Sequence, residues 1–130
     1  MICIDTDCII DFLKGKEDAV EIINNYRKEV ITTEINVFEI LFGIYNKKKV
    51  SENEKMVANE FFDSIKVLPF NSDCGEISAK IITDLIKRGK ITEQNDCFIA
   101  SVIKKNGIDM IITKNKKHFS IIEGVKVSTY

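Results

Sequence analysis

The sequence predicts an α/β fold: a mostly parallel central sheet covered by helices on both faces. Three observations lead there. Short apolar runs near residues 1–4, 30–32, 66–68, 109–113 and 125–127 alternate with longer stretches of helical periodicity. The first run is apolar at every position and not alternating, as in a strand buried on both faces. The loops are too short for hairpin-rich β architecture, which leaves helical crossovers between parallel strands. At 130 residues the chain has room for one domain, 1–130, with a real core.

The opening run, Met1 to Ile4, stops at Asp5, and Ile9, Ile10 and Leu13 then recur at helical spacing. A short strand therefore delivers an acid to the start of a helix over Thr6–Leu13. In open α/β sheets ligands bind at that end of the strands. A second helix runs from Glu17 to about Arg27, and Val30-Ile31-Thr32 reads as a strand. Thr33 caps a third helix, Glu34 to about Asn46, with Glu34 in its positive first turn. That helix is apolar over most of its circumference, so burial on most sides is expected. Its polar residues Asn36, Glu39, Gly43 and Asn46 form one narrow stripe, and Gly43 would admit a close neighbour.

Ser51-Glu52-Asn53-Glu54 is a capping-box pattern that opens a fourth helix to about Ile65. Lys66-Val67-Leu68 is a strand stopped by Pro69. A fifth helix runs from Asn71 or Ser72 through Arg88 and ends at Gly89. Thr92 is the expected cap of a sixth helix that runs to Asn106. Asp96 sits in its first turn, above Ile99, Ala100 and Ile103 on the core-facing stripe. The strand at Asp109–Thr113 again runs into polar residues, Lys114 and Asn115. A short helical turn through His118-Phe119 and a last strand near Val125–Val127 complete the chain.

A formal net charge of −1 provides no global positive field to draw in nucleic acid, so a polyanion must be held locally or through metal. The opening apolar run is too short for a signal peptide and no stretch reaches membrane-span length, so a cytoplasmic location is expected. Cys3, Cys8, Cys74 and Cys97 form no C-x-x-C pair, and with a single histidine, His118, a zinc site of the usual type is not expected. All four cysteines read as reduced structural residues.

Four polar positions share one property. Asp5 follows a buried strand, Glu39 interrupts an apolar helix, Asp96 heads a core-facing stripe, and Asn115 follows another buried strand. Each alone has a plainer role: helix capping for Asp5 and Asp7, a solvated stripe for Glu39, a helix-dipole partner for Asp96, a turn for Asn115. Together they make costly buried carboxylates with no obvious arginine or histidine partner. One hard cation, Mg²⁺ or Mn²⁺, would satisfy an all-oxygen set.

The pieces I-D-T-D-C-I-I at Ile4–Ile10, E-I-N-V-F-E-I-L-F-G at Glu34–Gly43, N-D-C-F-I-A at Asn95–Ala100 and I-I-T-K-N-K-K-H-F at Ile111–Phe119 stand in an order that resembles the PIN-domain ribonucleases, and most closely the VapC toxins of toxin–antitoxin pairs. The resemblance implies a three-layer α/β/α PIN-like fold. It also implies a metal set of Asp5, Glu39, Asp96 and Asn115, with Asp7 as a further ligand and Thr6 and Thr113 as supporting hydroxyls. The sequence departs from the family pattern at Asp7, where Asn is common, and at Asn115, where Asp is frequent. The implied activity is Mg²⁺- or Mn²⁺-dependent endonucleolytic hydrolysis of RNA, leaving 5′-phosphate and 3′-hydroxyl ends. His118 stands outside this set, which disfavours acid–base chemistry through the 2′-hydroxyl.

Lys14, Lys16, Lys114, Lys116 and Lys117 are the expected RNA contacts. The implied partners are an antitoxin that occludes the acidic pocket and a second copy of the chain. Phe38, Ile40, Phe42, Phe61 and Phe62 are the residues that would supply a dimer surface. Two other readings remain open. Asp5-Thr6-Asp7 resembles the D-x-D of haloacid-dehalogenase-type phosphatases, with Asp5 as nucleophile, although no later acid pair follows. A catalytically inactive PIN fold acting as a binding module is the other.

Overall fold

The computed structural model describes residues 1–130 and has the expected three layers. The strands are β1 (Ile2–Ile4), β2 (Val30–Thr33), β3 (Lys66–Leu68), β4 (Met110–Ile112) and β5 (Lys126–Ser128). They form one sheet in the order β3-β2-β1-β4-β5, and every pairing is parallel. The helices are α1 (Thr6–Leu13), α2 (Glu17–Tyr26), α3 (Glu34–Tyr45), α4 (Glu52–Ser64), α5 (Cys74–Lys87), α6 (Gln94–Lys105) and the short α7 (Lys116–Phe119).

Side chains alternate across β1, and this sorts the core into two halves. Ile2 and Ile4 join Cys8 and Ile9 of α1, Ile40 and Ile44 of α3, and Phe61 and Phe62 of α4. Cys3 faces the other way, with Ile81 and Leu85 of α5, Ile99 and Ile103 of α6, and Phe119 of α7. All four cysteines are free and buried. Burial and the neighbouring acids push the Cys8 thiol up to about 12, so it packs as a small neutral side chain.

β1 lies at the centre because the chain leaves it in one direction to β2 and β3 and later returns on its other side as β4 and β5. Between β1 and β4 the strand order reverses, and in open α/β sheets it is at such a reversal, beyond the carboxyl ends of the strands, that the ligand crevice lies. The main chain closes around that point. Asp5 N–H donates to Ile112 O at 3.0 Å, and Thr113 N–H donates to Ser128 O at 3.0 Å.

Several expectations change. Thr92 does not cap α6: Glu93 occupies the cap position, and the Thr92 hydroxyl donates to His118 O at 3.2 Å. α5 starts only at Cys74, after Asp73 in a left-handed turn (φ 71°). α3 is not buried on most sides, because Phe38, Phe42 and Tyr45 lie exposed. Conversely, Ile40, Phe61 and Phe62 belong to the core and cannot supply a dimer surface. Gly43 meets no close neighbour where a side chain would stand.

Candidate metal centre at the sheet crevice

The crevice is organised by a residue that sequence reasoning passed over, Asn36. Thr33 and Asn36 form a capping box at the start of α3, with Thr33 Oγ1 accepting from Asn36 N and Asn36 Oδ1 accepting from Thr33 N, both at 3.3 Å. The Thr33 hydroxyl also donates to Asn36 Oδ1 at 2.7 Å. This locks the amide orientation of a fully buried side chain. Its Nδ2 then donates to Asp5 Oδ1 and to Thr6 Oγ1, each at 3.1 Å. Thr6 passes the bond on, donating to Glu39 Oε1 at 2.7 Å. Thus β1, the first turn of α1 and α3 are joined through one amide and one hydroxyl. The visible signal was a polar residue two positions after Glu34 in an apolar helix, three after its cap.

Thr113 plays the matching part from β4. Its hydroxyl donates to Asp5 Oδ2 at 2.7 Å, and its oxygen accepts from Asn115 N at 2.9 Å. Asp7 turns toward the same loop. Its Oδ2 accepts from Lys114 N at 2.8 Å and lies 3.4 Å from Thr113 Oγ1, while its Oδ1 accepts from Cys8 N at 2.7 Å. Asn115 caps α7, is exposed, and its side chain makes no hydrogen bond to the acids. From α6, Asn95 Nδ2 reaches Glu39 Oε2 at 3.5 Å, a long bond.

Asp96 corrects the view that the single histidine stands apart. His118 Nδ1 lies 2.8 Å from Asp96 Oδ2, so the histidine of α7 is bonded to the buried acid of α6.

The electrostatics of the cluster are lopsided. Asp5 is 2% exposed, and neither it, Asp7 nor Glu39 has a lysine, arginine or histidine ion pair. Burial, with repulsion from Asp7 and Asp96, raises the Asp5 carboxyl to about 7, against the lowering effect of its bonds to Thr113 and to the Thr6 main chain. Burial likewise raises Asp96 to about 6; Glu39 and Glu93 add to this, and His118 opposes it. The acids of β1, α3 and α6 thus share one electrostatic environment. As the side chains stand, no group of three acidic, histidine or cysteine residues is placed so that it could hold a metal ion. Each carboxylate is instead turned to a hydrogen-bond donor from the protein. The donor set is hard and oxygen-based, it carries excess negative charge, and Asp5 has no cationic partner. Such a set fits a divalent cation of the Mg²⁺ or Mn²⁺ type.

The expected RNA-binding lysines divide into two groups. Lys16 and Lys114 are tied to Asp11 at 3.0 and 2.7 Å, and Lys114 also lies over the Tyr130 ring at 4.8 Å from its centroid. The Tyr130 hydroxyl donates to Asp11 at 2.8 Å. These two lysines serve a structural clasp that the sequence reading did not foresee. Lys14, Lys116 and Lys117 are exposed and free of ion pairs. A groove of about 420 Å³ between α1, α3 and α4 begins at Glu39 and is lined by Lys14, Gly43, Lys47 and Val57.

Residues 2–124 match the sequence model of the PIN domain. A curated relative, ribonuclease VapC2 of Haemophilus influenzae, is 21% identical over 130 residues, covering 98% of this chain and 96% of that protein. Two solved structures show the same fold. VapBC2 from Rickettsia felis, bound to a DNA fragment from its promoter, superposes with a TM-score of 0.88 at 21% identity and covers 100% of this chain and 99% of the other. DNA-bound VapBC from Salmonella typhimurium gives 0.87 at 21% identity, with 98% and 96% covered.

Proposed function

The chain belongs to the PIN-domain family, and from that premise we propose that it is a divalent-metal-dependent endoribonuclease, the toxin of a toxin–antitoxin pair, acting as a single domain. The observation that carries this reading is the buried, cation-free carboxylate Asp5 at the strand-order reversal, held by the Thr113 hydroxyl and linked by hydrogen bonds to Glu39 through Asn36 and Thr6. The names of its relatives, ribonuclease VapC2 and the VapBC complexes, support the same assignment.

Asp5, Glu39 and Asp96 would hold the cation, with Asp7 and Asn115 at the rim of the crevice. When bound, the cation supplies Lewis-acid activation of water and offsets charge growing on the phosphoryl oxygens. Thr113 and Asn36 orient the two Asp5 oxygens, and Thr6 orients Glu39. Water attack in line with the leaving 3′-oxygen leaves a 5′-phosphate and a 3′-hydroxyl. Lys14, Lys116 and Lys117 are the lysines able to approach the RNA backbone, because Lys16 and Lys114 are engaged by Asp11.

Two partners complete the reading. The groove that begins at Glu39 is the proposed antitoxin seat. The exposed Phe38, Phe42, Tyr45 and Met56 are the proposed homodimer surface, in place of the buried Ile40, Phe61 and Phe62. The phosphatase alternative finds no support, since Asp7 is held by the Cys8 and Lys114 N–H groups and is not free to act as a general acid beside Asp5. No helix is long and apolar enough to cross a membrane.

The test is RNA cleavage with Mn²⁺ by wild type, Asp5→Asn and Glu39→Gln. Each variant should lose about a hundredfold or more, since Lewis-acid stabilisation contributes several kcal/mol. Cleavage at the wild-type rate by both variants rejects the assignment of Asp5 and Glu39 to the metal centre, and no cleavage by the wild type rejects the nuclease. Release of phosphate from a chromogenic monoester with RNA left intact would instead favour the phosphatase, and RNA binding without hydrolysis the inactive module.

A further inference from the structure

We propose that His118 is a positioning residue: its Nδ1–H holds one oxygen of Asp96 and leaves the other free for the cation. This rests on the metal-dependent reading above. A carboxylate can only accept, so the 2.8 Å contact between His118 Nδ1 and Asp96 Oδ2 requires the proton on Nδ1. The bond can orient because both partners are fixed. Asp96 sits in the first turn of α6 with a side chain only 8% exposed. His118 is held at its main chain from two sides: its carbonyl accepts from Thr92 Oγ1 at 3.2 Å, and its N–H donates to Asn115 O at 3.1 Å.

The second of those bonds gives His118 a wider reach. The Asn115 turn, which brings a proposed ligand to the rim, is tied to the residue that grips Asp96 from the opposite side of the crevice. One residue therefore ties the two contributions together, its main-chain N–H holding the Asn115 turn and its ring holding Asp96 of α6. The partners of Asp5 and Glu39 come from Asn36, Thr6 and Thr113, so Asp96 alone among the three acids relies on this histidine. Outer hydrogen-bond partners of ligands typically change metal affinity ten- to a hundredfold when removed, about the range expected here.

The experiment uses the full chain and Mn²⁺ as the probe. Binding is measured by calorimetry for wild type, His118→Ala and His118→Asn, the asparagine amide standing near the Nδ1 position. Expected results are about tenfold or greater weakening in His118→Ala, recovery of most of the affinity in His118→Asn, and cleavage by His118→Ala that returns to the wild-type rate at saturating Mn²⁺. ¹⁵N NMR of the metal-free wild type should show the proton on Nδ1, a readout independent of activity and of whether either variant folds. Wild-type Mn²⁺ affinity in His118→Ala, a proton on Nε2 with Nδ1 bare, or a fall in the saturated rate with affinity unchanged each overturns the positioning role while leaving the nuclease standing. A wild type that binds no Mn²⁺ overturns both.

Discussion

Replacing Asp5 with asparagine should stabilise the cation-free protein and at the same time remove its response to Mn²⁺. Burial lifts the Asp5 carboxyl from 3.8 to about 7. Between those values the folded protein keeps a proton that the unfolded chain has released. Stability therefore falls as pH rises through the window, by about 1.4 kcal/mol per pH unit, and levels off above pH 7. Asparagine does not titrate. The stability gap between Asp5→Asn and wild type should thus widen by about 2–3 kcal/mol between pH 5 and pH 8. The local bonds permit the exchange. The new amide oxygen accepts from Asn36 Nδ2, while its NH₂ donates to Thr113 Oγ1, whose own proton turns to Asp7 Oδ2, 3.4 Å away. Urea unfolding in EDTA at the two pH values measures the gap. Adding Mn²⁺ at pH 8 should then stabilise wild type and leave Asp5→Asn unmoved. A gap that is the same at both pH values, or a variant less stable than wild type at pH 8, would refute the electrostatic argument.

Asn36→Ala removes a buried donor–acceptor hub and should cost about 2–4 kcal/mol in urea unfolding, because Thr33 N and Asp5 Oδ1 lose their partners. Asp11→Ala releases Lys16, Lys114 and Tyr130 at once; with both lysines about half exposed, the loss should be only about 1–3 kcal/mol. The same bonds hold the Asp11 carboxyl well below its usual range. That contribution is present above the unfolded pKa and fades as pH falls below it, so the destabilisation seen for Asp11→Ala should shrink in acid. Phe38→Ser combined with Phe42→Ser should leave stability within about 0.5 kcal/mol, since both rings are more than half exposed, while lowering the mass seen by sedimentation.

Local pattern was enough to locate most of the fold. The run from Ile2 to Ile4 read as a strand buried on both faces, and the spacing of Ile9, Ile10 and Leu13 placed α1 where it lies. Thr33 was legible as a helix cap because the chemistry of capping is local. Asp5, Glu39 and Asp96 stood out because each carries charge where periodicity calls for burial. What failed was whatever depended on residues far apart in the chain. Thr92 looks like a cap in isolation, but its hydroxyl is taken by His118 O. α3 looks buried all round, yet the sheet and α4 cover only the face that carries Ile40 and Ile44.

The division has a physical reason. Periodicity, capping and turn chemistry act over a few residues, so the amino-acid order by itself determined an α/β chain with acids at strand ends and helix starts. Which hydrogen-bond donor each acid meets depends on strand order, because β1 and β4 become neighbours only when the sheet reverses between them. Only the tertiary structure could therefore decide that Asn36 and Thr113 share Asp5, that His118 belongs to Asp96, and that Asp11 takes the two lysines once assigned to RNA.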